Sequence, residues 1–151
     1  MLQFSTDSPA VAGRGRIVVG YDGSEHATRA LRWAANESHE RDIGLHVVSC
    51  WHFPAWVEPF PYQAPFSGEE FEQRSQDELV SGVEALELTE PLDVSAQVLD
   101  GPAAVRLLEF GETAKMIVVG SRGRTGFSGL LLGSVSRHLS EHAQCPVVII
   151  H

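Results

Sequence analysis

Five short apolar runs, each of strand length and separated by stretches with helical spacing, constrain this chain more than any other feature. They are 16–20, Leu45–Trp51, 94–99, Met116–Gly120 and Val147–Ile150. The runs are continuous rather than alternating, as expected of parallel strands covered on both faces. After the first run, Ala27, Ala30, Leu31, Ala34, Ala35 and Ser38 recur at spacings of three and four, with Glu25, Arg29, Arg32, Asn36 and Glu40 elsewhere. That pattern predicts an amphipathic helix, with Ser24 as its N-cap. A second helix is expected over 69–88, with Phe71, Ser75, Leu79, Val83 and Leu86 on one face, ended by Pro91. A third opens at Gly101-Pro102, buries Ala104, Leu107 and Leu108, and ends near Gly111. A fourth spans 133–144 and stops at Pro146. The order βαβαβαβαβ predicts an α/β fold with a mostly parallel sheet. Right-handed crossovers make an open doubly wound sheet, with helices on both faces, the natural closure. Five strands are too few for a (β/α)8 barrel.

The chain has 151 residues, which suits one domain. We expect a flexible N-terminal extension over 1–15, which carries no apolar signal-like stretch, and a folded domain over 16–151. The formal net charge is −9, without the basic footprint of a nucleic-acid binder, so no nucleic-acid partner is expected. Any anionic ligand must therefore be held by local groups. No apolar run reaches the ~20 residues of a membrane span. The two cysteines, Cys50 and Cys145, form neither a disulfide nor a metal pattern. Both are expected reduced and packed, which favours the cytoplasm.

The chemistry is concentrated in 120–136. Five glycines (Gly120, Gly123, Gly126, Gly129 and Gly133) follow the fourth strand and precede a helix. In open parallel sheets, ligands bind beyond the carboxyl ends of the strands, near the point where strand order reverses. Glycines let backbone N–H groups approach and surround an anion, and the helix starting near Gly133 adds a positive dipole end. Ser134 and Ser136 can donate hydroxyls. Arg122, Arg124 and Arg137 supply positive charge that an acidic chain otherwise lacks. The segment reads as a phosphate cradle; taken alone, it also reads as a loop with turn glycines. It is not a P-loop, and no dinucleotide G-x-G-x-x-G follows the first strand.

The spacing Gly120, two residues, Gly123, nine residues, Gly133-Ser134 resembles the nucleotide motif of the universal stress protein family. So do the first strand's ending in Gly20-Tyr21-Asp22, the following Ala30-Leu31-Arg32-Trp33-Ala34, and Gly101-Pro102-Ala103. The resemblance runs from Arg16 to His151. It implies a five-stranded parallel sheet in the order 3-2-1-4-5, ATP as ligand, alone or with Mg2+, and a homodimer through the fifth strand Val147–Ile150. Carried over residue by residue, it puts Gly20 and Asp22 beside adenosine and Cys50 at the adenine. Gly120, Ser121, Arg122 and Gly123, continued by Arg124, Thr125 and Gly126, form the phosphate loop. Gly133, Ser134, Val135 and Ser136 form the helix start that holds ribose and phosphates. Two departures from the family pattern are visible: Lys115 replaces a usual acid, and the Gly101-Pro102 turn is one residue short.

The stretch from Trp51 to Phe66 interleaves four prolines with aromatic residues. It excludes a regular helix and reads as a lid, a cover or a protein-partner surface. His138 and His142 have zinc-like i, i+4 spacing but no third ligand. No catalytic grouping is identified. The leading functional expectation is a cytoplasmic ATP-binding stress-response domain acting as a nucleotide-dependent sensor or regulator. The alternatives are a slow ATPase or nucleotide-transferring enzyme, and a nucleotide-free dimeric scaffold.

Overall fold

Ile17, Val18 and Val19 are wholly buried, on alternating sides of one strand, so both faces of that strand must be covered. The computed structural model, which describes residues 2–52, 67–124, 129 and 131–151, shows what covers them. In chain order the elements are β1 (Gln3–Phe4), α1 (Pro9–Ala12), β2 (Ile17–Gly20), α2 (Glu25–Arg41), β3 (Leu45–Trp51), α3 (Gly68–Glu84), β4 (Val94–Asp100), α4 (Ala103–Leu108), β5 (Met116–Gly120), α5 (Ser134–His142) and β6 (Val147–Ile150). On one face, Ile17, Val19, Val47 and Val118 pack against Ala27, Ala30, Leu31 and Ala34 of α2 and Leu79 of α3. On the other, Val18, Val48, Ile117 and Val119 pack against Ala12 of α1, Leu107 of α4, Phe110 and Leu139 of α5. Removing a side chain such as Leu31 or Leu107 would cost about 2–5 kcal/mol.

All pairings are parallel, and the sheet order is β1-β4-β3-β2-β5-β6. This corrects the expected five-stranded sheet of order 3-2-1-4-5: among the described residues there are six strands. The five read from the apolar runs lie in the order β4-β3-β2-β5-β6, and Gln3–Phe4 supply the sixth. Without β1, strand β4 would present an open row of backbone N–H and C=O groups. Gln3 and Phe4 pair with Ser95 and Ala96, and Ser5 N–H donates to Ala96 O at 2.8 Å. The segment is then fastened downstream: Gln97 Nε2 donates to Asp7 O at 2.8 Å, and Thr113 Oγ1 to Ala10 O at 2.7 Å.

The helix ends follow the local sequence. Ser24 caps α2 by accepting from Ala27 N–H at 3.2 Å. Ser67 and Glu70 form a reciprocal capping box at the start of α3. From β2 the chain builds outward through β3 and β4, then returns to place β5 on the other side of β2. The strand order therefore reverses at β2 and β5, and a crevice opens beyond their carboxyl ends.

Candidate functional site

That crevice is a cleft of about 720 Å³, within the size range of small-ligand pockets. One part of its wall is apolar: Val48 and Cys50 from β3, Leu107 and Ala104 from α4, and Val119 from β5. Burial pushes the Cys50 thiol up to about 12, so it stays neutral and acts as another apolar surface. Another part of the lining is polar and backbone-rich, with Asp22, Arg122, Gly123, Arg124, Gly133 and Ser134. Here α5 begins at Gly133 with no side-chain cap. The N–H groups of its first turn lack intrahelical partners, and its dipole favours an anion.

Asp22 ties the two sides of the polar end together. Its Oδ1 accepts from Ser24 N–H at 3.0 Å, and its Oδ2 accepts from Arg124 N–H at 3.2 Å. The carboxylate thus fixes the β2–α2 turn and the glycine loop at once. Two glycines are demanded by close approach within the protein. A Cβ at position 120 would lie 2.7 Å from the His26 backbone carbon, and one at 123 would lie 2.8 Å from Asp22 Oδ2. Both distances are too short to be tolerated without movement of the neighbours. Arg124 sends its guanidinium to Glu78 of α3 in an ion pair.

The structure brings most of the expected residues to this cleft. Gly20, Asp22, Cys50, Gly120, Arg122, Gly123, Arg124, Gly133, Ser134, Val135 and Ser136 all line it. Ser121 is buried and lies outside the lining. Its N–H donates to Ile150 O at 2.7 Å, its carbonyl accepts from Gly133 N–H at 2.6 Å, and its hydroxyl lies 3.3 Å from His26 Nδ1. The Ser136 hydroxyl has a similar internal duty, with Ser121 O and Gly133 O each 3.1 Å away as acceptors. These bonds clamp the loop to the helix. Arg137 does not line the cleft. Thr125 and Gly126 lie outside the described residues, as do residues 53–66 of the aromatic and proline-rich stretch.

Sequence reasoning missed the apolar wall formed by Val48, Ala104 and Leu107, and also His52. Val48 was within reach, because Cys50 and Val48 are two apart on one strand and share a face. His138 and His142 stack on α5 with ring centroids 4.4 Å apart, and His142 Nδ1 lies 3.0 Å from His138 O. Among the described residues, no group of three or more His, Cys, Asp and Glu side chains is placed to hold a metal ion.

Fold and cleft together define an open α/β domain with a ligand crevice at its topological switch point. The chain belongs to the universal stress protein family, whose model matches residues 13–151. The universal stress protein Rv2623 of Mycobacterium tuberculosis is 36% identical over 140 residues, which are 89% of this chain and 47% of that protein. This chain spans about half the length of the curated relatives it matches. Among solved structures, a universal stress protein in complex with cAMP shares the fold, with TM-score 0.63 and 24% identity over 92% of this chain and 98% of that one. A universal stress protein of Archaeoglobus fulgidus in complex with dAMP does likewise, with TM-score 0.62 and 23% identity over 92% and 99% of the two chains.

Proposed function

We propose that the cleft binds an adenine nucleotide, that ATP is its ligand, alone or with Mg2+, and that the domain works as a nucleotide-dependent sensor or regulator. The observation that carries this reading is the division of one cleft into two chemistries. A base and sugar suit the wall of Val48, Cys50, Leu107 and Val119; phosphates suit the glycine loop, Arg122 and the uncapped start of α5. The fold relatives solved with cAMP and dAMP support the nucleotide class. Mass spectrometry of ligand released from freshly purified protein tests the reading. Adenine nucleotide is the expected result; a different ligand class filling the site would overturn it.

Binding rather than turnover is favoured by Asp22. Both of its carboxylate oxygens already accept backbone N–H groups, which suits a positioning residue and not a general base. Hydrolysis is expected to fall far below the ~10 s⁻¹ typical of enzymes. ATP turnover at about 1 s⁻¹ or faster, abolished by Asp22→Asn with affinity preserved, would contradict this. We also assign a homodimer to β6. This strand lies at a sheet edge, and its four apolar residues are only half-buried. Light scattering should give a dimer mass for the wild type and a monomer for Val148→Lys. A monomeric wild type at micromolar concentration would remove that assignment. The two free cysteines are the support for a cytoplasmic location, which fractionation of the native protein would test.

A further inference from the structure

The two arginines that line the cleft are in different states. Arg122 has no ion-pair partner among the described residues, whereas Arg124 is paired with Glu78 of α3. The pair spans the glycine loop and a helix that is otherwise remote from it in sequence. It is also built into the backbone around it. Gly23 lies beneath it with φ +77, and a Cβ there would collide with both the Glu78 carboxylate and the Arg124 guanidinium. Asp22 holds the Arg124 N–H at 3.2 Å, so the Arg124 backbone is fixed while its side chain is directed to Glu78. Among the described residues, one cation at the polar end is therefore without an ion-pair partner, and the second is engaged by an internal anion.

From this we infer that Glu78 is a specificity-determining residue: it withholds Arg124 and so sets how strongly the site favours a longer phosphate chain. The inference rests on the nucleotide reading above. A monophosphate can be served by Arg122 and the first-turn N–H groups of α5. Further phosphates add negative charge at the same end of the cleft. They gain Arg124 only by competing with Glu78, whose own charge opposes them. The Glu78 carboxylate thus tempers the preference for ATP over AMP without touching the base or the sugar. The acid is not one of the cleft-lining residues, so its effect runs through Arg124.

The test compares ATP and AMP affinities by isothermal titration for wild type, Glu78→Gln, Arg124→Ala and the double variant. Glu78→Gln keeps the side-chain shape and removes the charge. It should raise the ratio of ATP to AMP affinity by about fivefold, the scale of a partly exposed ion pair. The double variant should show no such gain over Arg124→Ala alone, because the effect requires the arginine. Glu72→Gln makes the same change in net charge at an exposed position of the same helix, and should leave the ratio unchanged. An unchanged ratio in Glu78→Gln overturns the inference. So does a gain that persists without Arg124, or an equal gain in Glu72→Gln. If the folded wild type binds neither nucleotide, the nucleotide reading itself falls and takes this inference with it.

Discussion

Strand β3 carries one face of the sheet from a closed polar site to an open one. At its start, His46 is fully buried. Gln97 gives its Nε2 to Asp7 O, which leaves Oε1 as acceptor for His46 Nε2–H at 3.4 Å. Ser95 Oγ lies 2.7 Å from His46 Nδ1 and donates to it, and Phe110 packs at 5.4 Å between ring centroids. Every polar atom of the imidazole has a partner, and the N-terminal segment fastens the site. Four residues further along the same face, Cys50 opens into the cleft. There the first turn of α5 is uncapped and Arg122 is unpaired among the described residues. The contrast teaches that polar residues near a core signify little by type. What separates a structural cluster from a binding site is whether the fold satisfies its hydrogen bonds internally.

The closed end should break most severely with acid. Burial pulls the His46 imidazole down from 6.5 to about 4. Above pH 6.5, folded and unfolded states both hold it neutral, and the stability is intact. Between pH 6.5 and 4 the unfolded chain takes up the proton and the folded one does not, so stability falls as pH falls. Below about 4 both states are protonated and this loss is complete. The expected loss is on the order of 3 kcal/mol. Denaturant titrations at neutral and acid pH check it; His46→Gln should remove this component of the pH slope.

At the open end, Gly123→Val should reduce ATP affinity about a hundredfold, the scale of one or two lost hydrogen bonds to charged groups. The new Cβ would lie 2.8 Å from Asp22 Oδ2 and break the tie from that carboxylate to Arg124 N–H. Circular dichroism should show the fold retained. The same variant with unchanged affinity would show that the loop does not form the phosphate end. A smaller effect belongs to the closed end. Thr113→Val removes the hydroxyl that donates to Ala10 O, and should cost about 1 kcal/mol, or roughly 2–4 °C in Tm. Nucleotide affinity should not change, because Thr113 fastens the N-terminal segment and does not line the cleft.

What could be read beforehand follows the same division. Strands β2 to β6 and the buried face of α2 were legible because continuous apolar runs and regular spacing report burial directly. The residues at the ends of β2, β3 and β5 were legible as site candidates because parallel topology forces ligands there. Strand β1 was not, since Gln3 and Phe4 are exposed and two residues carry no periodicity; their pairing depends on the edge that β4 leaves. The internal contacts of Ser121 with His26 and β6 were not legible, because a serine beside a glycine looks the same whatever its groups face. Glu78 could not be singled out beforehand, because its contact with Arg124 joins residues 46 apart. No local pattern encodes such a pairing.

The open end of β3 is proposed to face an adenine-nucleotide site. Isothermal titration of ATP into the folded wild-type protein tests it most directly, with Gly123→Val as the control. A saturable heat with sub-millimolar Kd is expected in the wild type, lost or strongly weakened in the variant. A folded wild type that gives no heat with ATP, ADP or cAMP would contradict it.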